Sequence, residues 1–256
     1  MNKLNGLIPY NFKKFKKENL TGLCFYRYFP NIERLTSFLI DGVFMCRADK
    51  FSDNLECIKK DIIDELNSNS YIIEDLAQKV ITEQKKYYIS CWYFPDSNNE
   101  NELMWKSYGN TKDNEIGFLV KINSLEFINS LEDIYNLNRN SIVNLLYGTV
   151  RYFDFNDSKS IRKIRFTSFR KHICFKDERE FRLVFKDEGS IIKDKLFLKL
   201  PKKLMNEFEI FAQPSCSKID FDKYSNELKA KFQINLKKSE LDIWYNLREN
   251  IRKIDG

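Results

Sequence analysis

The tripeptide Glu178-Arg179-Glu180 in the segment 174–185, CFKDEREFRLVF, leads into alternating charged and apolar side chains, and it constrains the fold more than any other stretch of the chain. Period-two alternation marks a strand with one apolar face. It puts Glu178, Glu180 and Arg182 on one side and Phe181, Leu183 and Phe185 on the other. Two carboxylates at i and i+2 of a strand have Cα atoms about 6.5–7 Å apart, close enough to couple and push one pKa upward. Acid–base chemistry needs a carboxyl of that kind. The alternative is a solvent-facing Glu/Glu/Arg ladder on a half-buried strand.

Further strand-like runs fall at 22–28, 43–46, 87–93, 116–122, 147–155, 195–200 and 207–211, with 180–185 closing the alternating segment. Helical spacing appears at 32–39, closed by Asp41-Gly42, and at 57–67, 71–86 and 220–232. A short helical turn, ELMWKSY, stops at Gly109-Asn110. Uneven interleaving of strands and helices predicts an α+β fold rather than a doubly wound sheet. We read one domain over 1–256, with a basic segment at 1–20 and a terminal helix at 238–254. The apolar stripe of that helix, Leu241, Trp244, Leu247, Ile251 and Ile254, is expected to pack on the domain; a partner interface is the alternative.

Hydrophobic residues make up 43% of the 256 positions, with 22 Phe and 13 Tyr, enough for a core without covalent staples. The six cysteines are scattered with no CxxC pair, and the start is polar, which predicts reduced thiols and a cytoplasmic location. Cys91 and Cys174 are expected to be buried and inert. The single histidine, His172, excludes histidine-built metal centres, while carboxylate-only Mg²⁺ sites stay open. No run of about eighteen apolar residues exists to span a membrane. The formal charge is +6. One basic cluster is Lys13, Lys14, Lys16 and Lys17. A second is Lys159, Arg162, Lys163, Arg165, Arg170 and Lys171, with no acid among residues 158–171. Such patches either solvate a surface or attract phosphate, including a nucleic-acid backbone.

Three points line up in chain order: Arg27 in FYRYF, Ser90 in YISCWY, and the Glu178/Glu180 pair. A strand arginine before a helix suits a diphosphate, a strand serine can hold a carboxylate or ribose hydroxyl, and a buried glutamate can stabilise an oxocarbenium ion. The order resembles that of the arginine–serine–glutamate ADP-ribosyltransferases. The resemblance implies NAD as substrate, a split, mostly antiparallel sheet, Arg27 on the diphosphate, Ser90 as scaffold, Glu180 as catalytic glutamate and Glu178 as helper to the nucleophile. Cys91 and Trp92 stand where that family has a Ser-Thr-Ser style run.

A second resemblance spans nearly the whole chain. The strings FYRYFPNIERLTSFLIDGVF, DKFSDNLE, YISCWYFPDSNNENELMWKSYG, GFLVKIN and RKHICFKDEREFRLVF are similar to the bacterial family of unknown function numbered twenty-nine seventy-one. Its clearest marks are ELMWKSYG and the spacing of His172, Glu178, Glu180 and Arg182. In FSDNLE, Asp53 and Glu56 are the matches to the family's Asn-Asp-Pro-Phe-Glu loop. Members accompany bacterial defence or toxin-like loci, which implies a transferase directed at a cellular or phage target.

Other residues carry paired readings. Trp105 and Tyr108 either wall a nicotinamide or fill the core. Asp53 and Glu56 either bind Mg²⁺ or cap the next helix. His172 acts as a base near Glu178, contacts a phosphate, or sits hydrogen-bonded at a strand edge. Arg182 gathers a substrate phosphate or pairs with Glu180. Three functions follow: an NAD-dependent ADP-ribosyltransferase or glycohydrolase with a protein or nucleic-acid acceptor; a nucleic-acid-binding or Mg²⁺-dependent nuclease-like defence protein; and a non-catalytic sensor of a nucleotide-like ligand.

Overall fold

In the computed structural model the described residues are 6–10, 20–68, 72–109, 115–157, 159, 161, 164–187 and 195–255. The strands, in chain order, are β1 Gly6–Tyr10, β2 Cys24–Phe29, β3 Val43–Arg47, β4 Tyr87–Tyr93, β5 Phe118–Asn123 and β6 Asn144–Thr149. They continue as β7 Arg151–Phe153, β8 Arg170–His172, β9 Glu180–Lys186, β10 Lys195–Leu198, β11 Glu209–Ala212 and β12 Leu236–Lys238. The contacts divide the chain into two compact units, each α+β with mixed strand pairing and flanking helices. The first comprises Met1–Asn19, Asp41–Tyr93 and Ser130–Pro201, and the second Leu20–Ile40, Phe94–Asn129 and Lys202–Gly256.

In the first unit the strands run β1-β6-β9-β4-β3-β10, antiparallel except for β1 on β6. Gly148 of β6 lies opposite Tyr10 of β1, and a Cβ there would run into the Tyr10 carbonyl. Every residue of β9 from Glu180 to Phe185 is buried. One face of the sheet joins Ile89, Leu146 and Val184 to Phe166 and Phe169. Beside it the Lys60–Asn67 and Ile73–Gln84 helices pack through Ile62, Ile63, Leu76 and Val80 onto Phe155 and Ile161. On the opposite face Tyr88 meets Phe185 with centroids 5.7 Å apart. The solvent-facing ladder is thus overturned: both faces of β9 are covered, and its charged face is internal.

The run expected as one strand over 147–155 breaks at Val150. β6 ends at Thr149, and β7 leaves to pair in parallel with β8. That departure carries Tyr152 and Lys171 to the start of β9. The second unit holds β2-β5-β11-β12, antiparallel until the last pair. Its terminal helix, Asp242–Asp255, leaves Trp244 62%, Leu247 50% and Ile251 48% exposed. The expected packing of this stripe on the domain is therefore not realised. No described helix is long and apolar enough to cross a membrane.

Candidate active site

Approach to β9 runs through a tight reversal in the first unit. A 3₁₀ turn over Ile173–Glu178 is capped by His172, whose Nδ1 accepts from the Cys174 amide at 3.2 Å. It closes on Arg179 in the left-handed region, φ 40° and ψ 52°. Glu178 therefore stands on the turn and not on the strand, which corrects the three-residue ladder. The fold-back lets its carboxyl hydrogen-bond Glu180. Glu180 is pinned by its backbone: its amide donates to the Tyr152 hydroxyl at 2.8 Å, and its carbonyl accepts from Val150 at 2.9 Å.

Arg182, fully buried, organises the interior. Its Nε donates to Glu180 Oε2 at 2.6 Å, and its two terminal nitrogens grip Glu56 at 2.8 and 2.7 Å. Nη1 also donates to the Ser168 carbonyl at 2.7 Å. Lys171, from β8, donates to Glu180 Oε1 at 2.8 Å and Glu178 Oε2 at 2.5 Å, with Glu56 Oε1 at 3.5 Å. Glu56 is held from behind: Asp53 accepts from the Leu55 amide at 2.9 Å, and Gln84 donates to the Glu56 carbonyl at 3.1 Å.

Three carboxylates thus face two cations, and the group is neutral only when one carboxyl keeps a proton. Burial, reinforced by the hydrogen bond and charge of Glu180, pushes the Glu178 carboxyl up to about 7. Burial also opposes the charge of Glu180, but Arg182 and Lys171 outweigh it and hold that carboxyl well below the carboxylate range. Lys171 loses stability to burial and regains more from Glu180 and Glu56, so its pKa rises. The retained proton falls on Glu178. Its side chain is 17% exposed against 5% for Glu180 and 0% for Glu56 and Arg182, so it is also the member that meets solvent. A carboxyl half ionised near neutral pH at a solvent edge can take or give a proton.

Ser90 pairs with Leu183 and Cys91 with Arg182 across the β4–β9 ladder. Directly opposed residues point the same way and neighbours alternate. Ser90 is therefore on the face away from Glu180 and Arg182, and a scaffold role beside Glu180 is corrected by that register. Cys91 takes the position instead; burial and the Glu180 charge push its thiol well above the ordinary value, which leaves it unreactive. Cys174, expected to be buried, is exposed. Arg182 is internal, committed to Glu56 and Glu180, and its place as a ligand contact is corrected accordingly. His172 lies 4.0 Å from Asp154 and edge-on to Phe155, and its described contacts do not reach the carboxylates.

Arg27, Trp105 and Tyr108 belong to the second unit. The Arg27 guanidinium lies over Phe29 and Phe38, 5.7 and 5.9 Å from the ring centroids. Trp105 is core: buried, edge-on to Tyr28, with Nε1 donating to Glu100 at 2.7 Å. Tyr108 is 42% exposed. Of the basic cluster, Lys171 faces the carboxylates while Arg165 and Arg170 line a pocket; Arg162 and Lys163, like Lys13, Lys14, Lys16 and Lys17, lie outside the described residues.

Sequence reasoning placed Glu56 as a cap or Mg²⁺ ligand, and missed Tyr152 altogether. The signal for Glu56 was its match in the FSDNLE loop; no local pattern announces a partner 126 residues away. With Glu56 and Glu180 saturated by cations, the nuclease-like set of Asp53, Glu56, Glu178 and Glu180 is not arranged around a metal, and among the described residues no group of three or more His, Cys, Asp or Glu has such an arrangement. Comparison of the chain with protein-family models, curated proteins and solved structures gives no match.

Proposed function

We propose that the protein is an NAD-dependent ADP-ribosyltransferase, or an NAD glycohydrolase where water is the acceptor, with Glu178 as its general base. The observation that carries this reading is the solvent-edge Glu178 carboxyl, raised to about 7 beside a Glu180 that stays ionised. Ionised Glu178 takes the acceptor's O–H proton as that oxygen attacks the ribose carbon bonded to nicotinamide. The C–N bond breaks, its electron pair goes to the ring, and nicotinamide leaves neutral. Glu180 acts through Glu178 as a positioning residue, because its charge is compensated by Arg182 and Lys171 and it holds the pKa of Glu178 up. The identity of the substrate rests on the Glu-x-Glu motif order. An ADP-ribosyltransferase-like sheet, membership of family twenty-nine seventy-one, a cytoplasmic location and a role as toxin or phage-defence effector belong to the same proposal.

Nicotinamide release from NAD⁺, alone and with cell lysate as acceptor source, tests it. Glu178→Gln is expected to lower release about 10²-fold or more, the usual contribution of a general base. The wild-type rate is expected to rise with pH through about 7, as Glu178 loses its proton. No release by the folded protein, or equal release by Glu178→Gln, would sink the proposal.

A further inference from the structure

A pocket of about 260 Å³ opens in the first unit, away from the carboxylate cluster. Its wall carries Lys59, Lys60, Arg165, Arg170 and Lys186. Against these five cations stand two lining carboxylates, Asp61 and Glu83, and Asp64, which pairs with Lys60 at 2.6 Å. Glu83 is already shared between Lys59 and Lys86, at 2.9 Å from each. The described side-chain contacts of Arg165 and Lys186 are to aromatic faces: Arg165 lies 5.0 Å from the Phe166 centroid and Lys186 5.9 Å from that of Tyr87. Arg170 is buried and set in place by its Nη1 bond to the Ile58 carbonyl at 2.9 Å. A guanidinium so placed is oriented before any ligand arrives, which is what bidentate recognition of phosphate requires.

The helix Lys60–Asn67 begins at this pocket, with Asp61 in its first turn and Lys60 paired with Asp64 at 2.6 Å. Lys59 is its N-cap and makes no side-chain cap bond, and Lys60 follows at the first position. Amide donors and the positive end of the helix dipole favour anions there. Pocket, basic wall and uncapped helix start ask for the same chemistry.

We infer that this pocket binds a small phosphate-bearing ligand, such as a nucleotide diphosphate, through Arg165, Arg170, Lys186 and the start of the Lys60–Asn67 helix. Its volume suits a phosphorylated sugar or nucleotide fragment and falls below the range of a large ligand site. It is separate from the Glu178 site. Tyr87 of the pocket and Cys91 of the cluster are four residues apart on β4, about 13 Å along a strand. Arg170 and Lys171 divide the basic run between the two sites, as strand neighbours on opposite sides do. The inference stands without the NAD reading.

Calorimetric titration of the full chain at low salt, with pyrophosphate and ADP as probes and a single-stranded oligonucleotide as competitor class, tests it. Binding of ADP or pyrophosphate is expected to weaken at least about tenfold in Arg165→Gln/Lys186→Gln, two substitutions that leave the buried Arg170 in place. Glu178→Gln is expected to bind as wild type does, which separates this site from the acid–base site. Stronger binding of ADP than of pyrophosphate assigns an organic phosphate; equal binding assigns the phosphate group alone. No binding of either probe at millimolar concentration by the folded protein overturns the inference. So does undiminished binding in the double variant, or binding of the oligonucleotide alone, which would make the pocket a nucleic-acid contact.

Discussion

Each unit buries a carboxylate, and the two are satisfied in opposite ways. In the second unit Glu100 accepts from three neutral donors: Trp105 Nε1 at 2.7 Å, Ser239 Oγ at 2.5 Å and the Glu240 amide at 2.7 Å. That arrangement ties the ELMWKSY turn to the residues that follow β12. In the first unit Glu180 and Glu56 are answered by formal charges, Arg182 and Lys171, and a third carboxylate is left over. Neutral donors close a site, whereas an odd number of like charges around two cations leaves one group poised to titrate.

The largest effect that tests this contrast is removal of Arg182. Arg182→Met keeps the volume but leaves Glu56 and Glu180 buried without their shared partner. A broken buried ion pair costs about 3–5 kcal/mol, a large part of a domain's stability. Loss of the cooperative unfolding transition, or a large fall in its denaturant midpoint, is the expected result; a midpoint unchanged from wild type would show that Lys171 alone neutralises both carboxylates. Glu100→Ala is expected to cost less, about 2–3 kcal/mol, because three neutral donors lose an acceptor and no net charge is stranded. Thermal denaturation of the two variants side by side gives the order directly. If Glu100→Ala proves the more damaging, the neutral hub and not the ion cluster holds its unit together.

Much of the scaffold could be read from local pattern. β4 spans Tyr87–Tyr93, the span read from the aromatic alternation, and the helix Ile32–Asp41 stops where Asp41-Gly42 said it would. β1 was hidden because GLIPY is short, carries a proline and pairs only at the parallel edge of its sheet, where proline is tolerated. The helices Ser124–Asn129 and Leu131–Asn138 were also missed, each too short for a full apolar stripe to show. The candidate site was half legible. Period two correctly grouped Glu180 with Arg182, but it cannot say which residue of β4 joins them; that depends on register, and register selected Cys91 over Ser90. Burial was equally invisible, since a charged strand face looks solvent-exposed until Glu56, 126 residues from Arg182, and Lys171, nine residues before Glu180, arrive to pair with it.

The smallest effect bears on the leftover carboxylate itself. Glu178 has its folded pKa raised from an ordinary 4.5 to about 7. Between those values the folded chain keeps a proton that the unfolded chain has released, so stability falls as pH rises through that window and stays lower above it. Glu180 acts in the reverse sense: its lowered pKa contributes stability present above the ordinary carboxylate pKa and lost as pH falls. Glu178→Gln removes only the first effect, because the amide retains a hydrogen-bonding group without an ionisation to suppress. At pH 8 the variant is expected to be more stable than wild type by about 1 kcal/mol, a figure kept small because part of the side chain meets water. At pH 4 the two should unfold alike. Melting curves at the two pH values decide it: a gain of the same size at both would mean that packing at position 178, and not the unmatched charge, sets the energy of the cluster. A loss at pH 8 would mean that Lys171 depends on an ionised Glu178, and that three carboxylates around two cations are tolerated after all.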